Sequence, residues 1–463
     1  MRKATSRTLP RSLTRCAALL LAATAWPALT GAASGLVPQH TEDLRPALTR
    51  ASKDGAATLE FTAFSRGFRL QLSSNHSLAH IAAGSSVELY KGTLEGAPGS
   101  WARISIHDGL PRGMIWDGRE LFIVDAAPEA VNFGAAGTVM YKLSDAVLEQ
   151  GVSFTGDAVH KPPDAAAAYG AMIGELRART QAAQAGAATE GVEISVLGDA
   201  AYLARYDNET QARDAILTRL NNVDGIFSSQ VGVELQVVSV NIAGEVTAGL
   251  SATTDSSALL EELGRLRQQS AALSATGLTH LFTGRQLDGD SAGVAYTLAL
   301  CSPRFAASIA MAHNSAALDS LITAHEIGHV FGAPHDGADQ CASTPQGQFI
   351  MTPVLTTSVT SFSQCSLDQI NAVIDSYSCV VTLPPPGPPP PAPPPPPAPP
   401  PGDNGGGGGG GSLDPTLLLL LLALRAARSH HRARSSRIFH LQRDKACGAC
   451  PEQALDVSQR AIE

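Results

Sequence analysis

Cysteine is scarce along most of this chain. After Cys16 none occurs before Cys301, so residues 34–300 hold no thiol. That excludes a disulfide framework and any thiolate metal site from most of the first two thirds of the protein. Charge is thin as well. Charged residues are 16% of the 463, and the net charge of −9 is spread out apart from a short basic patch near the C-terminus. Nothing in that pattern suggests a nucleic-acid-binding face, so no nucleic-acid partner is expected. Long apolar runs are also missing. The stretches at residues 16–26 and 417–424 are too short to cross a membrane comfortably.

The N-terminus carries an export signal. Arg2, Lys3, Arg7, Arg11 and Arg15 precede the first apolar stretch, and Gly31-Ala32-Ala33 offers a cleavage site. Residues 1–33 are therefore expected to be removed as a signal peptide. An exported chain meets an oxidising environment, so Cys301, Cys341, Cys365 and Cys379 are expected to form disulfides, with three pairings possible, rather than a structural metal site.

The densest chemistry lies in His325-Glu326-Ile327-Gly328-His329-Val330-Phe331-Gly332-Ala333-Pro334-His335-Asp336. Residues four apart share a helix face, so His325 and His329 can aim their imidazoles at one ion. Gly332 can adopt a left-handed conformation that ends the helix, and Pro334 discourages its continuation. The returning chain then supplies His335 as a third ligand. Three protein ligands leave a fourth position for water, as in catalytic zinc sites. Glu326 is placed to take a proton from that water.

Around this motif the chain divides into blocks. Residues 34–160 lean towards β-structure, since 58–64 and 68–72 alternate apolar and polar residues. The run 90–100 reads as a turn-rich connector. Residues 161–190 form an alanine-rich linker containing Arg177 and Arg179 but no dibasic site. Residues 191–382 follow as one domain. They show a strand at 192–197, a helix at 209–229, a strand at 231–242 and a helix at 256–272. The zinc-motif helix spans 317–331. The first helix carries Ala212, Ile216, Leu220, Val223 and Ile226 at three- and four-residue spacing. This order predicts an α/β fold, a twisted mixed β-sheet with backing helices and an active-site helix beneath it.

The full H-E-x-x-H-x-x-G-x-x-H pattern, with Met351 downstream in Gln348-Phe349-Ile350-Met351-Thr352-Pro353, resembles the metzincin zinc peptidases. Within them the chain looks like the reprolysin, or adamalysin, group. Asp336 after the third histidine and Ser361-Phe362-Ser363-Gln364-Cys365-Ser366 match that group. So do the segments Thr279-His280-Leu281-Phe282-Thr283-Gly284 and Ala292-Gly293-Val294-Ala295-Tyr296. The resemblance implies one catalytic Zn²⁺ on His325, His329 and His335, with Glu326 as general base. It also implies Met351 as a hydrophobic floor below the metal and Asp336 as a fixing point for the third-ligand loop. Its implied disulfides are Cys301–Cys379 and Cys341–Cys365. Protein or peptide substrates follow, and so does a β-rich prodomain, the chain's own propeptide, over residues 34–160. Many such propeptides silence the enzyme with a cysteine. This one has none, so latency would need steric cover or another ligand. Many members also bind calcium near the chain ends. Glu193 matches the first acidic position, but no aspartate directly precedes His280 and no asparagine closely follows Cys379, which argues against calcium here.

Residues 383–411 form a proline- and glycine-rich spacer ending in an unbroken glycine run at 405–411. An apolar block and the arginines at 425, 428, 432, 434 and 437 occupy the rest of 412–437. Together these resemble the bacterial GlyGly C-terminal sorting signals. Such a signal implies a sorting protease acting near the glycines. It also implies release to the medium or the cell surface of a Gram-negative-type bacterium. Residues 438–463, with Cys447 and Cys450, have no assigned role. The rival reading is a non-catalytic, surface-displayed binding or adhesion protein on a peptidase fold. A retired enzyme would be expected to lose Glu326 or a histidine, and this chain keeps all four.

Overall fold

The computed structural model describes residues 35–383, apart from 51–54, 80, 83, 84, 127–136, 290 and all of 149–189 except 167, 168 and 171. The expected signal peptide (1–33), most of the expected linker (161–190), and the expected spacer, sorting signal and tail from residue 384 onwards lie outside the described residues.

Eleven strands come first: β1 (Leu36–Pro38), β2 (Glu42–Leu44), β3 (Ala47–Arg50), β4 (Ala57–Ala63), β5 (Arg66–Ser74), β6 (Val87–Leu94), β7 (Trp101–His107), β8 (Leu110–Trp116), β9 (Leu121–Ala126), β10 (Thr138–Lys142) and β11 (Ala146–Leu148). β1 pairs with β11, while the other nine form one sheet in the order β2-β10-β9-β8-β7-β6-β5-β4-β3. Every neighbouring pair in it is antiparallel. Alternation in β4 and β5 sends Leu59, Phe61, Phe68 and Leu70 into a core shared with Ile104, Ile115 and Phe122.

The expected connector at 90–100 is corrected in part. Tyr90 to Leu94 belong to β6, and only Glu95 to Ser100 turn. Gly92 looks like a turn signal in sequence, yet it sits inside the strand. A Cβ there would lie 2.0 Å from the carbonyl oxygen of Gln71, so glycine permits close approach of β5.

The second part has strands β12 (Glu190–Gly198), β13 (Val233–Ile242), β14 (Leu278–Thr283), β15 (Gly293–Ala295), β16 (Ala307–Met311) and β17 (Val380–Thr382). Its long helices are α1 (Glu209–Gln230), α2 (Ser256–Gln269), α3 (Ala316–Phe331) and α4 (Gln364–Ile374). The sheet runs β13-β12-β14-β16-β15, with β17 on β12. β12, β13, β14 and β16 are parallel, while β15 and β17 are antiparallel to their partners. This is the mixed sheet with backing helices that the element order predicts. The expected helix over 256–272 breaks at Ser270. Its hydroxyl accepts from Leu273 N–H and starts a separate turn at Ala271–Ser274.

α1 starts on Asn208, whose side chain accepts from Gln211 N–H. Its apolar stripe, Ala212, Ile216, Leu220, Val223 and Ile226, is fully buried in the core. The opposite stripe is polar and is buried as well, because the N-terminal sheet lies on it. β7 is consequently covered on both faces. Ala102, Ile104 and Ile106 enter the sheet's own core, while Arg103 and His107 face α1. The Arg103 guanidinium donates to Asp224 at 2.9 Å, and Asn75 donates to Asp224 and Asn221. Lys91 donates to Glu234 on β13 at 2.7 Å.

His107 joins this interface through Thr218. The Thr218 hydroxyl donates to the Asp214 carbonyl, so it accepts from His107 Nε2–H at 2.7 Å. Burial pushes the His107 imidazole down to about 4, helped by the Arg112 charge and opposed by Asp214 and Asp108. The folded state therefore resists a proton that the unfolded state accepts below about 6.5. Stability should fall as pH drops from about 6.5 towards 4, by up to about 3 kcal/mol from this group. Thermal melts across that range, repeated on His107→Gln, test this. The variant should show a shallower decline, and an unchanged pH slope would contradict the assignment.

Candidate metal centre

α3 carries two of the three motif histidines. Its first turn is capped by Ser315, whose side chain accepts from Leu318 N–H. It ends at Gly332, with φ at 110°, a conformation that glycine adopts without strain. The left-handed turn redirects the chain and returns His335 to the face bearing His325 and His329. The three offer ligand atoms that all lie within 4.8 Å of one another.

Backbone carbonyls set the tautomers. His325 Nδ1 lies 2.7 Å from the Ile350 carbonyl, and His329 Nδ1 lies 2.9 Å from the Ala333 carbonyl. A carbonyl only accepts, so each Nδ1 carries the proton and each neutral ring has its lone pair on Nε2. The Nε2 atoms of His325 and His329 stand 3.2 and 3.1 Å from His335 Nε2. A tetrahedral ion with bonds of ~2.0–2.1 Å separates its ligand atoms by about 3.3 Å. The donor set, its spacing and its fixed tautomers thus fit zinc.

The neighbouring residues make room for this arrangement. Glu326 is fully buried, and a Cβ on Gly293 of β15 would lie 2.5 Å from its Oε1. Glycine at 293 therefore makes the space that the Glu326 carboxylate occupies. Met351 is fully buried too, and a Cβ on Gly328 would lie 2.8 Å from its sulfur. The helix turn between the two histidines rests directly on the methionine.

Asp336 ties the third-histidine loop from both sides. Its N–H donates to the Met351 carbonyl at 2.8 Å, and its Oδ1 accepts from Ser363 Oγ at 2.7 Å and Ser366 Oγ at 3.4 Å. Burial pushes its carboxyl above the usual range, against the lowering pull of the two hydroxyls. Two disulfides close the surroundings, Cys301–Cys379 and Cys341–Cys365, the pairing that the resemblance implies. The first anchors the last segment to the stretch before α3. The second joins the loop after His335 to α4.

Sequence reasoning missed a buried charge cluster at the start of α3. Asp319 accepts from Arg219 Nε of α1 at 2.7 Å and from the His313 ring and backbone at 2.9 and 2.8 Å. Burial alone would raise its carboxyl, but the Arg219 charge and the His313 bonds outweigh it and hold it below the usual range. No spacing signal marks such a cluster, because its members come from separate elements. Gly293 lies in the segment Ala292-Gly293-Val294-Ala295-Tyr296, but its role depends on the approach of Glu326 from another element.

Residues 188–363 match the family model Reprolysin_5, metallo-peptidase family M12. The chain is 25% identical over 394 residues to human "A disintegrin and metalloproteinase with thrombospondin motifs 14", covering 75% of this chain and 32% of that protein. It is 22% identical over 189 residues to the "Zinc metalloproteinase/disintegrin" of Bitis gabonica, covering 40% of this chain and 58% of the other. The crystal structure of metalloproteinase-II from Bacteroides fragilis aligns with a TM-score of 0.41 at 11% identity, over 68% of this chain and 90% of that one. The chain thus spans about a third of the first relative's length and under two thirds of the second's. The region holding the three histidines is similar to metallo-peptidases of family M12.

Removing Asp319 should leave Arg219 buried without its counter-charge. Asp319→Ala is expected to cost about 3–5 kcal/mol. Chemical denaturation of the variant beside wild type measures it, and a loss below about 1 kcal/mol would show that the cluster does not hold α3 on α1.

Proposed function

We propose that this chain is an exported zinc-dependent endopeptidase made as a proenzyme. The observation that carries the reading is the convergence of the His325 and His329 Nε2 atoms, from α3, with the His335 Nε2 of the following loop, while the Glu326 carboxylate is buried on the same helix. His325, His329 and His335 hold the ion in this reading. Bound zinc supplies a Lewis acid for a peptide carbonyl and lowers the pKa of water at the open position.

The remaining chemistry belongs to the protein. Glu326 accepts the proton of the attacking water and passes it to the departing amine. Its burial keeps that transfer away from bulk solvent. Met351 supports the helix turn between the first two ligands, and Asp336 keeps the third-ligand loop in place. The sequence supports a further course for the ends. Residues 1–33 are removed on export, residues 34–160 act as the propeptide, and a sorting protease cuts near the glycine run at 405–411. The intact set of three histidines and Glu326 favours an enzyme over a display protein.

The direct test is cleavage of casein by the processed protein. Glu326→Gln should lower turnover by ~10²–10⁴-fold while zinc content stays at one per chain. His329→Ala should lose both zinc and activity. Full activity in Glu326→Gln would remove the carboxylate from the mechanism.

A second variant probes the glycine. Gly293→Ala drives a methyl into the Glu326 carboxylate. Turnover is expected to fall at least ~10-fold with zinc retained, since a displaced base loses its alignment. Unchanged turnover would mean that Glu326 does not act from the position seen here.

A further inference from the structure

The polar stripe of α1 is unusual for a helix buried on both sides. Asp214, Thr218, Asn221, Asp224 and Ser228 recur at three- and four-residue steps, and each bonds to the N-terminal sheet or its connections. Ser85 and Ser86 donate to Asp214, and Arg103 reaches both Asp224 and Ser228. The sheet brings Lys91 and Arg103, and the helix side answers with Asp224 and Glu234. Two pairs of opposite charge thus cross the contact, beside apolar side chains of the sheet such as Leu89 and Trp101 that share the core around α1.

Gly225 lies in the middle of this stripe. A Cβ there would stand 2.7 Å from the Trp101 ring and 2.7 Å from Arg103 Cγ. Glycine is a poorer helix former than alanine. Here it lets the Trp101 ring and the Arg103 stem lie directly on the helix backbone. The helix gives up intrinsic stability at a position where side chains of the sheet lie against its backbone.

Such a surface suits two bodies that can exist apart. Its polar groups are compatible with water when the sheet is absent, unlike the apolar stripe on the other side of α1. When docked, Asp224 is wholly buried and its partner Arg103 nearly so, which makes removal of either one costly. We propose that this stripe is a docking receptor that keeps the N-terminal sheet on the following region as a non-covalent subunit after the chain between them is cut. The inference takes only the cut from the proenzyme reading. The recognition itself rests on Arg103, Trp101 and Lys91 meeting Asp224, Gly225 and Glu234.

The test uses the full chain in the Glu326→Gln background, with a site-specific protease sequence inserted between residues 165 and 188. After complete cutting at neutral pH and physiological salt, size-exclusion chromatography should give one peak containing both fragments. Gly225→Ala should separate them, although the substitution favours the helix itself. Arg103→Met, which leaves the α1 fragment untouched, should weaken the complex roughly 100-fold or more on dilution. Separation of the unsubstituted fragments, or co-elution of both variants as tight as the parent, would overturn the proposal. Because the readout is elution of a chain lacking its carboxylate, loss of docking and failure of the peptidase reading remain distinguishable.

Discussion

Two backbone carbonyls govern the centre of this protein. By accepting the Nδ1 protons of His325 and His329, Ile350 and Ala333 turn both rings so that their Nε2 lone pairs point at the same space. Rings able to rotate or exchange tautomers would offer that geometry only part of the time. The carbonyls are held in turn by the backbone around them. Ala333 follows the left-handed Gly332, and Ile350 precedes Met351, whose carbonyl takes the N–H of Asp336. Ligand direction, helix termination and loop closure are thus parts of one hydrogen-bonded arrangement.

Small residues let that arrangement pack densely. Gly293 admits the Glu326 carboxylate beside β15, and Gly328 admits the Met351 sulfur beneath α3. Further from the three histidines, the Arg219–Asp319–His313 cluster pins the start of α3 to α1. The helix is therefore fixed at its N-terminus by buried charge, along its middle by contact, and at its end by conformation. α1 has the broader task. One face completes the core of the domain, and the other receives the N-terminal sheet.

Much of the site was legible in the sequence because its logic is local. Four-residue spacing put His325 and His329 on one face, and Gly332 with Pro334 announced the turn that returns His335. The strands at 192–197 and 231–242 and the helices at 209–229, 256–272 and 317–331 were legible from local pattern, apart from the break at Ser270, where a serine cap overrides continuous helical patterning, whereas β16, α4 and β17 were not read. The N-terminal region was harder to read. Gly92 passed for a turn residue because its use, close contact with Gln71, depends on a neighbouring strand. Nothing in the spacing of the polar stripe of α1 shows that another sheet covers it. Partners distant in sequence, such as Arg103 with Asp224, leave no local trace.

Three imidazoles, those of His325 and His329 with carbonyl-fixed tautomers and that of His335 brought in by the following loop, are arranged to cradle one zinc ion. X-ray absorption at the zinc edge of the purified, zinc-loaded protein tests it most directly. Three nitrogen ligands at ~2.0–2.1 Å with one oxygen completing a four-coordinate shell are expected. Sulfur in the first shell, or six oxygen ligands, would contradict it.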